Sequence, residues 1–247
     1  MCGGNIRLAL DYIRFFIGSA HTNTERVLKI YRGKGSFDVP LHDFLRSWIY
    51  GEHEYYSPDS SEILNLFDIS TPDGKEHFLA PILLAQLELL SQQSLSEGYV
   101  DYANVISYMQ SYGFTPSQLD WSLERLTQRN LINSPTRTFE NKDISPLQYY
   151  RLTSIGAYYI KDLIKQFTYI DAMVIDTPLT EDCELSNNYY ANTTSERLER
   201  ANLFLEYLDS QWQALEGYQV PFDWPSARAT IKNGIKYIRS KISEYQS

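Results

Sequence analysis

Seven side chains on one short segment offer the most explicit chemistry in this sequence. Ser117, Gln118, Trp121, Glu124, Arg125, Gln128 and Arg129 fall within one sector of a helix at about 100° per residue. Arg and Gln in that arrangement can form paired hydrogen bonds to guanine and adenine edges, and Arg137 and Lys142, a little further on, can neutralise phosphates. Asp120 and Glu124 on the same surface oppose a polyanion. Trp121, ringed by Gln and Arg, suits a protein anchor as well as a base reader, because Trp and Arg dominate protein-interface hot spots. Elsewhere the chemistry is sparse. Cys2 and Cys183 have no metal-ligand spacing, and His42 and His53 lack partners at ligand spacing. His77 beside Glu76 finds no second carboxylate or nucleophile in sequence and reads as structural. The expectation is a chain with no catalytic residue, no metal and no cofactor of its own.

The elements that must position the seven side chains lie between Gly98 and Lys165. Gly98-Tyr-Val-Asp-Tyr-Ala-Asn-Val-Ile-Ser-Tyr-Met predicts a helix, and Gly113 predicts its stop. Thr115 as N-cap and Pro116 at the first helical position start the next helix, whose Leu119, Ser122, Leu123 and Leu126 share an inward side. Asn130-Leu-Ile-Asn and Gln148-Tyr-Tyr-Arg-Leu-Thr read as short strands around a polar loop, and Thr153 caps a closing helix through Ile164. A preceding helix over 75–90 carries Leu79, Ile82, Leu83, Leu87 and Leu90 as its core stripe, with Pro81 acceptable in the first turn. Together these segments resemble a winged helix-turn-helix, three helices plus a small β-wing, over residues 75–168.

Before it, residues 1–74 predict a helical region. Ile6, Ala9, Leu10, Ile13, Phe16 and Ile17 give an amphipathic helix whose wide apolar face needs cover, from later residues or from another chain. A short helix follows over 23–31, then another in which Leu41, Phe44, Leu45, Trp48 and Ile49 share a buried face. Residues 51–74, with Ser-Pro-Asp-Ser-Ser and Pro-Asp-Gly around Ile63, Leu64, Leu66 and Phe67, read as a connection and a domain boundary. Residues 169–247 read as an acidic linker and a helical hairpin. Its seams are Leu198, Ala201, Leu205, Leu208, Trp212 and Leu215 against Ile231, Ile235, Ile238, Ile242 and Tyr245.

Gly4-Asn5-Ile6-Arg7 at the start of the first helix resembles the second sensor motif of AAA+ ATPases, in which such an arginine reaches nucleotide phosphates from a lid helix. A lid helix followed by a winged helix is similar to the C-terminal half of AAA+ initiator ATPases and of bacterial signalling or defence ATPases of the STAND type. The resemblance covers roughly residues 3–17 and 76–165. It implies Asn5 and Arg7 as nucleotide sensors, duplex DNA as a ligand of the winged helix, and ATP only in company with a P-loop partner. The P-loop itself is missing, since Gly33-Lys34-Gly35-Ser36 lacks the upstream glycine and a preceding apolar strand and reads as a turn.

The chain as a whole bounds these readings. Its 247 residues carry a formal charge of −9, which argues against a general polyanion binder. By segment the balance is +3 for 1–40, −8 for 41–97, +1 for 98–165 and −5 for 166–247, so the candidate DNA reader sits nearly neutral between acidic blocks. No run of 18 apolar residues, charged-then-apolar leader or disulfide framework is present, so a cytoplasmic protein without a membrane partner is expected. The first functional expectation is a non-catalytic DNA-binding or regulatory module. The alternative is a protein-interaction scaffold that binds a separate ATPase or effector subunit through the Trp121 face or the C-terminal hairpin.

Overall fold

A segment expected to be a linker lies at the centre of the molecule. In the computed structural model, which describes residues 6–19, 22–39, 41–51, 53, 56–57, 61–94, 96–137, 147–179, 183, 185, 191 and 193–246, Ile63, Leu66 and Phe67 are all but fully buried. The segment belongs to neither helix nor strand, so its backbone polar groups need other partners, and side chains supply them. The Leu64 N–H donates to the Tyr159 hydroxyl at 3.0 Å and the Leu66 N–H to the Tyr169 hydroxyl at 2.9 Å. Tyr169 donates in turn to the Leu64 carbonyl at 2.9 Å, Tyr56 to that of Ile63 at 3.0 Å, and Asn65 Oδ1 accepts from the Phe67 N–H at 2.9 Å. Burial drives the hydroxyl pKa values of Tyr159 and Tyr169 far above the usual tyrosine value, so both remain protonated donors.

Around this segment the chain is mainly helical. Its helices are α1 (Ile6–Gly18), α2 (Thr24–Lys34), α3 (Leu41–Tyr50), α4 (Leu79–Gln93), α5 (Tyr102–Ser111), α6 (Pro116–Gln128), α7 (Ser154–Lys161), α8 (Phe167–Met173), α9 (Thr194–Trp212) and α10 (Trp224–Gln246). Among the described residues, four short strands, β1 (Val100–Asp101), β2 (Ile132–Asn133), β3 (Thr136–Arg137) and β4 (Leu147–Leu152), form a small antiparallel sheet in which the other three all pair with β4. The register sets Val100 opposite Tyr150, Ile132 opposite Leu152 and Thr136 opposite Gln148.

Helix α4 is the hub, with every residue from Leu79 to Leu87 buried. A helix apolar on all sides is enclosed on all sides, which is why burial extends beyond the single stripe expected of it. Pro81 sits in its first turn, where the missing N–H has no intrahelical partner to lose. Phe67 meets Phe78, Phe204 and Trp224 edge to face, with ring centroids 6.3, 5.8 and 6.0 Å away. One core therefore runs from Tyr12 to Ile235 and passes through both expected boundaries, at 74/75 and at 168/169.

Several local expectations shift by a turn. The helix expected from Gly98 begins at Tyr102, because Asp101 caps it by accepting the Asn104 N–H at 2.8 Å and Gly98 occupies a turn at φ +81°. The Gly33–Ser36 run is the end of α2, where Gly35 takes the left-handed conformation at φ +73° and donates to the Tyr31 carbonyl at 2.7 Å. Thr153 caps α7 as expected. Along α9, the short turn after it and α10, Leu198, Ala201, Leu205, Leu208, Leu215, Ile231 and Ile235 are buried, whereas Trp212, Ile238 and Ile242 are only partly so. The side chain of Tyr245 lies outside the described residues.

Candidate functional site

Helix α6 divides its surface into three sectors, and the division decides what it can bind. Leu119, Ser122, Leu123 and Leu126 point into the core as their spacing predicts. The second sector is turned against the 61–76 segment. Thr115 and Gln118 form a reciprocal cap: the Gln118 N–H donates to Thr115 Oγ1 at 3.3 Å while Gln118 Oε1 accepts from the Thr115 N–H at 2.9 Å. The Gln118 amide then donates to Thr71 Oγ1 at 2.9 Å and to a Glu76 carboxylate oxygen at 3.1 Å, and the side chain is buried. Arg125 pairs with Asp68 at 2.7 Å, with its guanidinium 4.4 Å from the ring centroid of a half-buried Trp121. Arg129 donates to the Ser61 carbonyl at 2.9 Å.

The third sector is open to solvent and consists of Ser117, Asp120, Glu124 and Gln128. These four fall on an arc roughly 80° wide, rotated by about 70° from the sector expected to face outward. The seven residues are therefore not one surface: Gln118, Arg125 and Arg129 are committed to the fold, and the open arc carries two carboxylates and no cation. Arg137 ends β3, and its side chain is outside the described residues, as are Lys142 and Asn5. Arg7 is exposed near the start of α1.

Beside the open arc lies a groove of about 640 Å³ between α5, α6 and the sheet, lined by Tyr102, Leu123, Tyr150 and Gln148 with Asp120 and Glu124 among its walls. Tyr102 donates to Asp120 at 2.6 Å, and Gln128 to Glu124 at 3.1 Å. Desolvation, reinforced by that bond to Asp120, pushes the Tyr102 hydroxyl up to about 12, so it stays a neutral donor. The groove thus combines aromatic walls with anionic groups.

Two carboxylates, Glu76 and Asp171, are buried away from α6's open arc. Glu76 accepts from the N–H and hydroxyl of Ser70 and of Thr71 as well as from Gln118. Asp171 on α8 accepts from Arg197 Nε at 2.8 Å and Arg200 at 2.8 Å on α9, and from the Tyr50 hydroxyl of α3 at 3.3 Å. The Asp171 cluster ties three helices together, and burial first, then the Asp171 charge, raises the Tyr50 hydroxyl well above its usual range. That Gln118 is engaged was legible in part, because Thr115-Pro-Ser-Gln118 has the spacing of a capping box, but its partner Glu76 has no such local signal. His77 is buried with one ring nitrogen at the Phe67 carbonyl and the other at the Tyr207 hydroxyl, an arrangement that leaves neither nitrogen for a ligand. Among the described residues no three His, Cys, Asp or Glu side chains gather as a metal site, and no helix is long and apolar enough to cross a membrane.

No protein-family model matches the chain, and no curated protein or solved structure matches it either.

Proposed function

We propose that this chain is a non-catalytic protein-interaction module built on a winged helix, whose α6 groove receives a cationic segment of a partner protein. The order α4, β1, α5, α6, β2, β3, β4, α7 supports the winged-helix reading. The observation that carries the choice of ligand is the open arc of α6, where Asp120 and Glu124 pair with no cation among the described residues while Arg125 and Arg129 are held by Asp68 and Ser61. Affinity for a nucleic acid grows with the number of phosphates neutralised, and an arc of this charge neutralises none. Aromatic walls with carboxylates beside them suit Lys and Arg side chains, which gain both charge pairing and ring contact. The lid-like placement of α1 ahead of this arrangement agrees with a partner that is a separate ATPase or effector subunit, with ATP bound by that partner.

Duplex DNA is the second reading, favoured by the same element order and by Arg137 and Lys142, which would supply phosphate contacts from the wing. One titration separates the two. The full chain is mixed with a fluorescent Lys/Arg-rich peptide and with a fluorescent duplex, before and after combined Asp120→Lys and Glu124→Lys substitution. Protein recognition requires that the peptide bind and be lost on charge reversal. A duplex that binds, tightens on the same reversal and weakens with Arg137→Ala and Lys142→Ala establishes DNA instead. Binding of neither probe removes both readings of α6.

A further inference from the structure

Helix α1 leaves uncovered the residues that a helix normally hides. Ile6, Leu10, Ile13 and Ile17 are 76, 60, 52 and 60% exposed, although the helix is anchored to α3 through other side chains. Tyr12 meets Trp48 edge to face at 4.9 Å, and Phe16 lies 6.1 Å from Phe44. The apolar face expected from the sequence is thus split, one edge docked and the rest facing solvent.

The exposed part has a specific geometry. Spacings of four, three and four put its residues on an arc roughly 60° wide, the narrow seam of a coiled coil; the arc by which an amphipathic helix lies on a core or a lipid surface is wider, ≳100°. With Ile6 and Ile13 at d positions and Leu10 and Ile17 at a, Arg7 and Arg14 both fall at e, and both are exposed. Side chains at e select the partner by pairing with charges on the facing helix.

A second copy does not supply those charges. Parallel pairing of two α1 helices sets Arg7 and Arg14 against the g positions, which hold Ala9 and Phe16, and antiparallel pairing sets arginine against arginine. The exposed faces of α2 and α10 are cationic too, and those of α6 and α9, though acidic, carry no exposed large apolar side chain to form a seam. Helix α2 has Arg26, Lys29, Arg32 and Lys34 against Glu25, and α10 has Arg228, Lys232, Lys236, Arg239 and Lys241 against Glu244.

We propose that the Ile6/Leu10/Ile13/Ile17 seam docks an amphipathic helix of a different protein, one that carries Asp or Glu beside its own a/d seam to meet Arg7 and Arg14. This surface is independent of the α6 groove, so either can fail without the other.

The test uses the full chain and two synthetic peptides of about three heptads. Both have Leu and Ile at a and d; one has Glu at e and g, the other Lys. Fluorescence anisotropy is expected to show the Glu peptide binding about tenfold or more tightly than the Lys peptide. Ile13→Asp abolishes that binding without moving the thermal melt, since Ile13 is solvent-exposed, and combined Arg7→Glu and Arg14→Glu reverses the preference. Equal affinity for the two peptides, binding of neither, or indifference to Ile13→Asp overturns the proposal. So does sedimentation showing a dimer that Ile13→Asp dissociates, which makes a second copy the occupant. Adsorption to phosphatidylserine vesicles lost in Ile13→Asp, with no peptide bound, assigns the seam to a membrane and equally overturns it.

Discussion

Replacing Glu76 with Ala should cost this protein more stability than almost any other single polar change. The carboxylate is 1% exposed and accepts from the Ser70 N–H at 2.9 Å, the Thr71 N–H at 2.9 Å and the Gln118 amide at 3.1 Å, besides two hydroxyls at 2.5 Å. The hydroxyls can rotate toward other acceptors and the Gln118 amide keeps Thr71 and Asp73, but the two backbone N–H groups lose their partner. Leaving a buried donor unsatisfied costs about 1–3 kcal/mol, and partial entry of water lowers the sum, so a loss of about 3–5 kcal/mol is expected. For a chain of this size each kcal/mol moves the melting temperature by about 2–4 °C, so the midpoint should fall by about 6–20 °C. Urea unfolding followed by circular dichroism measures the first quantity and a thermal scan the second. A loss below about 1 kcal/mol refutes the inference that Glu76 fixes the 70–76 turn to α6.

Further outcomes follow from the same structure. Tyr169→Phe removes the hydroxyl that serves both the Leu64 carbonyl and the Leu66 N–H and should cost about 1–3 kcal/mol in urea unfolding; an unchanged midpoint would show the segment held by packing alone. Asp171→Asn leaves Arg197 and Arg200 without a buried counter-charge and should destabilise by about 3–5 kcal/mol, measured in the same way. Burial, the largest influence on His77, holds its pKa below the usual 6.5. Below about pH 6.5 the unfolded chain therefore takes up a proton that the folded chain refuses, so stability drops as pH falls through that window. The slope of urea midpoint against pH between about 7 and 5 should be shallower in His77→Gln, and an identical slope contradicts the assignment.

Helix type and order were legible in the sequence wherever periodicity met a cap. Thr115-Pro116, Thr153 and the 198–215 seam all announce elements close to those observed, because a cap and a repeating apolar face are local signals. The 61–67 segment was not legible. Its Ser, Pro and Asp flanks have the composition of a loop, and what places Phe67 at the centre is a set of tyrosine hydroxyls about a hundred residues away. The candidate site suffered for the same reason. Wheel geometry identifies the core side of α6 correctly, but it treats everything else as solvent. Which of the remaining directions is open depends on Asp68, Ser61 and Glu76, and nothing within α6 indicates that they arrive there. On α1 the apolar face was legible, Ala9 apart, whose side chain lies outside the described residues, and its division into a docked edge and an exposed seam follows from where α3 lies.

Whether the arginines of α6 are bound up in the fold decides which ligand that helix can take. A double-mutant cycle with Arg125→Met and Asp68→Asn, read by urea unfolding, tests this directly, because it isolates the interaction between the two side chains. Both are about three-quarters covered, with side-chain exposures of 22% and 24%, so a coupling of about 1 kcal/mol is expected. Additive effects, with no coupling between the two changes, would mean that Arg125 is free to face a ligand and would contradict the acidic character assigned to the open side of the helix.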